Sequence, residues 1–309
     1  MKSFTAGLLV LASIQVAMSS IDPATFFNVQ GNLTNIKWAH AVNSKELLTQ
    51  ALEQANVSML EADVVLGKLN NSEAVIPIMA HPPKNTSDLS LEAFLNTVKD
   101  KKNITKGVKL DFKTLEALNA SKEILNKTQN DLKFPLFINA DILPGPVNAN
   151  TTPVDAKEFL TQTKSFKNCT LSVGWTTRYG SKDNVTEGGY TDEQIKEMVK
   201  VLKEQQVTQP ITYPVRAGLA ANSVAQIKML METPGLNTAN VTLTVWSSEG
   251  DKVDVGKLST LIKEVGVAKV YVDVPDDLRQ NLTLSSAASV NAASFMLATS
   301  LLILLSGYL

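Results

Sequence analysis

Residues 58–66, SMLEADVVL, place two acidic residues inside an apolar run that predicts a β-strand. Successive side chains of a strand point to opposite faces, so Glu61 and Asp63 share one face and the apolar residues beside them take the other. A buried carboxylate without a partner is so costly that it normally binds a cation, a metal or a proton. The alternative is a solvated edge strand with its polar side turned to water.

Seven further β-rich segments occur along the chain, separated by segments with apolar residues at helical spacing. Strands separated by helices pair in parallel, and eight such units in about 250 residues predict a closed (β/α)8 barrel, the TIM barrel. The alternative is a doubly wound open sheet, but no glycine-rich dinucleotide loop follows the first strand. The predicted strands are IKWAHAV (36–42), SMLEADVVL (58–66), GVKLDFK (107–113), PLFINAD (135–141), TLSVGW (170–175), PITYPVRA (210–217), VTLTVW (241–246) and AKVYVDVP (268–275).

Local signals predict helix starts and one hairpin. Thr191 with Gln194 forms a capping-box pattern, and the pair at 152–153, Thr followed by Pro, is typical of a helix start. The segment AVIPIMAHPP, 74–83, follows the second strand without an intervening helix. We therefore expect it to form the second arm of a hairpin that ends at His81.

The ionisable residues of the first three strands converge on one end of the predicted barrel. Chemistry in this fold gathers at the C-terminal ends of the strands, where His40 ends strand one and Asp111 and Lys113 repeat the two-residue spacing on strand three. Three carboxylates without a matching group of cations suit Mg²⁺ or Ca²⁺ better than zinc. Both histidines of the chain, His40 and His81, map beside these acids.

The N-terminus has the pattern of a secretory signal peptide. Lys2 precedes a short apolar run, and small residues stand at Ala17 and Ser19, the offsets that signal peptidase recognises. We interpret residues 1–19 as a signal peptide, so the protein is expected to be secreted to the cell surface.

The C-terminus has the pattern of a lipid-anchor signal. Residues 286–309 are apolar to their end and begin with small and polar residues, which is typical of a glycosylphosphatidylinositol (GPI) anchor signal with attachment at Ser285 or Ser286. The alternative is a true membrane helix, because the apolar stretch reaches about 18 residues. Residues 20–285 then form one barrel domain.

Glycosylation sequons are more frequent than chance would give, which indicates an extracellular surface. Those expected to carry glycans each precede a strand, at the end of the barrel opposite the predicted site: Asn32, Asn56, Asn103 and Asn240. Asn168 also precedes a strand, but Cys169 and the strand itself would bury it. The remaining sequons are at Asn70, Asn85, Asn119, Asn126, Asn150, Asn184 and Asn281.

Charge and cysteine content exclude some classes of protein. The net charge is −1 and no basic blocks occur, so nucleic acid is not an expected partner. Cys169 is the only cysteine, which excludes an intramolecular disulfide framework, and we interpret it as a small buried thiol.

Several motifs, in this order and spacing, resemble those of the phospholipase C-like barrel phosphodiesterases, which include the glycerophosphodiester phosphodiesterases and the spider-venom sphingomyelinase D family. These motifs are AHAVNS (39–44), LEADVVL (60–66), IMAHPP (78–83) and VKLDFK (108–113). Nearly the whole chain between the targeting segments is more similar to the menorin family of secreted or membrane-tethered animal proteins. That similarity includes FINADILPGP (137–146), VGWTTRY (173–179) and ITYPVRA (211–217).

The resemblance to the phosphodiesterases implies roles for six residues. It implies His40 and His81 as acid and base, Glu61, Asp63 and Asp111 as ligands of a divalent cation, and Lys113 as a contact to the phosphate. Two features depart from the pattern. Ala41 stands where glycerophosphodiesterases carry a phosphate-binding arginine, and the cysteine-rich loop of the venom enzymes is missing after His81.

Further side chains are predicted to point into the barrel, and the first six are candidates for substrate binding: Asn139, Asp141, Trp175, Arg178, Arg216, Trp246, Tyr271 and Asp273. Arg216 either holds a second anionic group or forms an ion pair with Asp141 or Asp273. The two tryptophans either stack on a choline-like or sugar group or pack in the core or rim.

Two functions of different class remain open. The first is a membrane-anchored, metal-dependent phosphodiesterase acting on a lipid or glycerol phosphodiester. The second is a cell-surface glycoprotein with a weak or silent site that binds a protein partner in cell patterning. Retention of the histidines, the carboxylates and the lysine favours the enzyme, because a silent site has no physical reason to keep buried acids.

Overall fold

The computed structural model describes residues 20–128, 131–232, 236 and 240–284. The predicted signal peptide and the predicted anchor signal, residues 1–19 and 286–309, lie outside them. Within the described residues, no helix combines the length and the apolar character needed to cross a bilayer.

The strands of the described residues are β1 (Trp38–Ala39), β2 (Met59–Leu69), β3 (Val75–Met79), β4 (Thr86–Ser87), β5 (Gly107–Phe112), β6 (Leu136–Leu143), β7 (Thr170–Trp175), β8 (Ile211–Arg216), β9 (Val241–Trp246) and β10 (Val270–Asp273). Eight of them form a parallel sheet in the order β1-β2-β5-β6-β7-β8-β9-β10, and all eight predicted strands are confirmed. The other two, β3 and β4, pair with β2 outside this path.

At least one helix lies between each pair of successive strands of the parallel sheet, which confirms the (β/α)8 barrel. The helices are α1 (Pro23–Phe26), α2 (Lys45–Glu53), α3 (Leu91–Asp100), α4 (Leu115–Thr128), α5 (Ala156–Thr163), α6 (Asp192–Glu204), α7 (Ala217–Ala220), α8 (Val224–Met231), α9 (Val255–Val265) and α10 (Asp276–Asn281). Single 3₁₀ turns occur at Leu33–Asn35 and Ser181–Asp183.

The two predicted helix starts have different outcomes. The capping box of Thr191 and Gln194 is confirmed at the start of α6. The start at residues 152–153 was wrong, because α5 begins at Ala156. There the Asp155 side chain accepts a hydrogen bond from the Glu158 N–H at 2.8 Å. This N–H lies in the first turn of the helix and has no carbonyl partner within it.

The predicted hairpin after the second strand is confirmed. β3 runs antiparallel to the outer half of β2, from Val64 opposite Met79 to Lys68 opposite Val75. The N–H of Ala80 then donates to the carbonyl of Asp63 at 3.1 Å. The hairpin therefore returns the chain to the second strand immediately before His81.

Side-chain alternation separates the apolar residues outside the barrel wall from those inside it. Outward residues of the strands, such as Leu60 and Val64, pack in the main core under the helices. Inside the barrel, a separate apolar cluster closes the N-terminal end, where the rings of Phe137 and Tyr271 meet edge to face with centroids 5.6 Å apart. Above this floor the interior is polar, whereas most barrels of this kind fill it with bulky apolar side chains.

The sheet has a seam between its first and last strands. Among the described residues, no ladder hydrogen bonds join β1 to β10. Side chains and turns cross the gap instead, since His40 contacts Asp273 and Arg279 donates to the carbonyls of Thr34 and Val272. The seam therefore depends on specific polar contacts.

The predicted glycosylation sites Asn56, Asn103 and Asn240 each precede a strand, at the N-terminal end of the barrel, and all three are exposed. Asn32 lies before β1 and is half-buried, because its side chain caps the first 3₁₀ turn. Glycan occupancy remains a prediction.

Cys169 is buried, and burial raises the pKa of its thiol to about 12, so it fits the predicted small buried thiol.

Lys106 generates a prediction about stability. Its ammonium is buried and donates to the carbonyls of Gln54 and Val57, both at 2.6 Å. Lys106→Met should lower the free energy of unfolding by about 1–3 kcal/mol, because two buried acceptors lose a charged donor. Urea denaturation measures the change. Lys102→Met, at an exposed position, is the control, and an equal loss in both variants would contradict the structural role of Lys106.

Candidate active site

Three carboxylates meet on one wall of the barrel. The parallel register of β2 and β5 places Asp63 beside Asp111, and Glu61 lies two residues earlier on the same face as Asp63. One oxygen from each of the three groups lies within 4.8 Å of the others. Because all three donors are carboxylate oxygens, they fit a hard cation such as Mg²⁺ or Ca²⁺.

Lys113 bridges two of these carboxylates. Its Nζ lies 2.7 Å from Asp63 Oδ1 and 2.5 Å from Asp111 Oδ2, and Asn139 donates to the other oxygen of Asp111 at 2.7 Å. Burial opposes ionisation of Asp111, yet Lys113 and Lys109 hold its pKa below the usual range. Burial also disfavours the charge of Lys113, but Asp111 and Asp63 raise its pKa well above the usual value. Both groups are therefore charged at neutral pH.

Asn43 holds Asp63 in place from the loop after β1. Its Nδ2 donates to Asp63 Oδ2 at 2.7 Å, and its Oδ1 accepts the Asp63 N–H at 2.9 Å. This double contact fixes both the backbone and the carboxylate of the same residue. The sequence motif AHAVNS contains Asn43, but motif spacing alone did not identify it as a site residue.

His40 lies at the mouth of the barrel, on the seam. Its Nδ1 is 3.1 Å from Asp273 Oδ2 and 3.8 Å from Glu61 Oε2, and its side chain is 51% exposed. The charge of Glu61, opposed by burial and supported by Asp273, raises the pKa of His40 to about 10. Burial raises the pKa of Glu61 in turn, against the effect of His40. His40 is thus an imidazolium held between two acids.

The backbone next to His40 also serves Glu61. Ala41 has a positive φ of 54°, which is uncommon for a residue with a side chain, and its N–H donates to Glu61 Oε2 at 2.8 Å. A backbone donor from the residue after His40 thus contacts the same acid.

His81 is exposed and follows the backbone contact between Ala80 and Asp63. Its Nδ1 lies 2.7 Å from the carbonyl oxygen of Pro82. A carbonyl only accepts, so Nδ1 donates in this arrangement. In the neutral ring, Nε2 is then the nitrogen with the free lone pair, the atom at which a general base accepts a proton.

Trp175, predicted to point into the barrel, does not. It is 1% exposed and packs outside the sheet against Tyr190 and Tyr213, with ring centroids 5.2 and 6.4 Å away. The inward position on this strand belongs to Gly174, where a side chain would collide with Pro214 and crowd Asp141. Alternation along β7 therefore assigns Trp175 to the core.

Arg216 is paired, but with neither of the predicted acids. Its Nε and Nη2 donate to the two oxygens of Asp251, at 2.8 and 2.9 Å, and its guanidinium lies 5.0 Å from the Trp246 ring centroid. The sequence did not indicate Asp251, because it lies in the loop between β9 and α9. Arg178, another predicted site residue, is exposed. Neither arginine lies in the carboxylate cluster.

Polar side chains continue from the carboxylates into the barrel interior. Asn139 accepts from Ser172 at 2.5 Å, and the hydroxyls of Thr212 and Thr244 lie 2.7 Å apart. Asp141 also faces this space, and burial raises its pKa to about 7. Lys109 is buried on the same face of β5 as Asp111. Lys109, Asp111 and Lys113 are each two residues apart in VKLDFK, so the spacing places Lys109 on the inward face, although it was not among the predicted site residues.

A cavity of about 620 Å³ lies away from the carboxylate cluster, among the loops after β7, β8 and β9. Its lining includes Tyr179, Gly188, Asn222 and Lys257, and none of the three clustered carboxylates. The chemistry of the cluster, rather than cavity size, identifies the candidate site.

Similar solved structures include two crystal forms of the octameric ribulose-1,5-bisphosphate carboxylase/oxygenase (Rubisco) of Pyrococcus horikoshii OT3. Both are 10% identical to this chain and match 84% of it, with TM-scores of 0.42 and 0.43. The chain spans little more than half of those proteins, 56% and 57% of their length.

Sequence comparison identifies much nearer relatives. Human Protein FAM151B is 37% identical over 257 residues, which are 83% of this chain and 88% of that protein. The family model of the Menorin N-terminal domain matches residues 32–279, a range that contains every residue of the carboxylate cluster and both histidines. The chain belongs to the menorin family.

Proposed function

We propose that the protein is an extracellular, metal-dependent phosphodiesterase that acts on a lipid or glycerol phosphodiester. The observation that carries this proposal is the group of three carboxylates with Lys113 at the mouth of the barrel and His40 beside them. The resemblance of the same motifs to barrel phosphodiesterases supports it, because those enzymes use these residue types at these positions.

Glu61, Asp63 and Asp111 would hold the divalent cation, Mg²⁺ or Ca²⁺. When bound, such an ion neutralises charge on a phosphoryl oxygen and so favours attack at phosphorus. Lys113 supplies a second positive charge at the same place, and its ammonium has three donors, of which Asp63 and Asp111 use two. The third donor is available to a phosphoryl oxygen.

The two histidines suit complementary proton transfers. His81 Nε2 takes the proton of the attacking hydroxyl as the new P–O bond forms. His40, charged beside Glu61 and Asp273, gives its proton to the leaving oxygen as the old P–O bond breaks. An internal hydroxyl of the substrate yields a cyclic phosphate, and water yields hydrolysis. The same residues serve both outcomes.

A second candidate function is a non-catalytic cell-surface glycoprotein whose barrel binds a protein partner. One observation favours it: the ammonium of Lys113 already pairs with Asp63 and Asp111. The chain's own cations thus offset part of the negative charge, and the carboxylates are not left as an unpaired group that requires a metal. Metal binding distinguishes the two functions.

The metal prediction follows from the repulsion among three clustered carboxylates. Mg²⁺ or Ca²⁺ should raise the melting temperature of the ectodomain, with about 2.7 kcal/mol of stabilisation when the ion is a hundredfold above its Kd. Asp63→Asn should remove the response, and Asp131→Asn, at an exposed position, should keep it. Scanning calorimetry with the metal and with EDTA measures both. Equal shifts in all three proteins would reject the metal site.

The catalytic prediction concerns turnover of glycerophosphodiesters and lysophospholipids with Mg²⁺ present. His40→Ala and His81→Ala should each reduce kcat by about 100-fold or more, the usual effect of losing a general acid or base. The circular dichroism spectrum should not change. Lys99→Ala, on an exposed part of α3, should retain activity. Full activity in either histidine variant would assign that residue a structural role.

We also propose that a C-terminal GPI anchor holds the enzyme on the outer face of the plasma membrane, where a lipid substrate is within reach. The support is the sequence of residues 286–309, with small residues followed by an uncharged apolar end. Phosphatidylinositol-specific phospholipase C should release the protein from intact cells into the medium. Retention of a protein that keeps its C-terminal peptide would indicate a membrane helix instead.

A further inference from the structure

Lys109 is a buried lysine inside the barrel. It is 4% exposed and lies on the inward face of β5, in register with Glu61 on β2 and Phe137 on β6. Within the described parts of the chain, its ammonium forms no hydrogen bond and no ion pair. Two other lysines differ, because the buried Lys106 donates to two carbonyls and the half-buried Lys113 contacts two carboxylates.

The acids around Lys109 are largely engaged elsewhere. Asp111 accepts from Asn139 through one oxygen and from Lys113 through the other. Glu61 accepts the N–H of Ala41 and lies near His40. The Lys109 ammonium has three unused donors, and it is not among the fully buried polar atoms without a partner in the described residues, so an acceptor can reach it. The structure therefore leaves a place for an acceptor beside Lys109.

The position of Lys109 restricts how that acceptor arrives. The apolar floor that contains Phe137 and Tyr271 closes the barrel on the N-terminal side. Lys109 lies beside Glu61 in the parallel register and on the same face of β5 as Asp111, so its side chain is directed to the same side of the strand as the acids of the cluster. A ligand therefore reaches Lys109 from the same opening that leads to the carboxylate cluster.

We propose that Lys109 is a ligand-binding residue that donates to an anionic phosphoryl oxygen inside the barrel, while Lys113 contacts the same group nearer the mouth. An anionic oxygen gains more from a desolvated ammonium than a neutral acceptor does. The proposal rests on the proposed function and deepens it. Contact with both lysines requires a substrate whose phosphate group enters the barrel.

Isothermal titration calorimetry with Mg²⁺ present tests this proposal. The probes are inorganic phosphate, the soluble diester glycerophosphocholine and lysophosphatidylcholine micelles, which separate binding of free phosphate from recognition of a lipid head group. Lys109→Met should weaken binding of at least one probe by about tenfold or more, the loss expected for one charge-assisted hydrogen bond. Lys102→Met is the control. Unchanged affinity for all three probes in Lys109→Met overturns the proposal.

Wild-type crystals soaked with Mg²⁺ and phosphate give a test that needs no variant. A phosphate oxygen within hydrogen-bond distance of Lys109 Nζ is expected. Ordered water alone at Nζ, or phosphate bound only by Lys113, overturns the proposal. Phosphate binding that depends on Lys109 without turnover of any diester would reject the proposed function and keep this inference. Diester turnover with the same kcat and KM in wild type and Lys109→Met would keep the proposed function and reject this inference.

Discussion

The structure depends on the need to compensate negative charge inside a barrel. One oxygen each of Glu61, Asp63 and Asp111 lies within 4.8 Å of the others, and like charges this close, two of them buried, require positive charge or protons nearby. The chain places Lys113 between two of them and His40 beside the third. Binding of a cation or an anionic ligand would act on this balance, so the same electrostatics governs both stability and chemistry.

The barrel can hold these charges because its apolar and polar side chains lie in separate layers. Outward side chains such as Leu60 and Val64 pack under the helices, and a cluster with Phe137 and Tyr271 closes the N-terminal end of the interior. The strands therefore retain a full apolar core while their inward positions above the floor remain polar. In most barrels the inward layers are themselves apolar core. Here that role is transferred to the outer layer and the floor.

The seam between the first and last strands links closure of the barrel to the site. In the described part of the chain no ladder hydrogen bonds cross it, and the contact of His40 with Asp273 bridges it instead. β1 has only two residues, Trp38 and Ala39, so the loop that follows is free to adopt the positive φ of Ala41 and to direct its N–H at Glu61. The loop after this short strand thus supplies both His40 and a backbone donor to Glu61.

The sequence by itself determined the eight strands, the hairpin before His81 and the group of Glu61, Asp63, Asp111 and Lys113, because two-residue alternation and strand order are local properties. It also carried the family resemblance. Only the tertiary structure decided which partners meet across loops. Asn43 with Asp63, Asp251 with Arg216 and Asp273 with His40 join residues far apart in the chain, and neither periodicity nor spacing encodes such pairs. For the same reason, the outward packing of Trp175 and the inward burial of Lys109 emerge only once every neighbouring strand is in place.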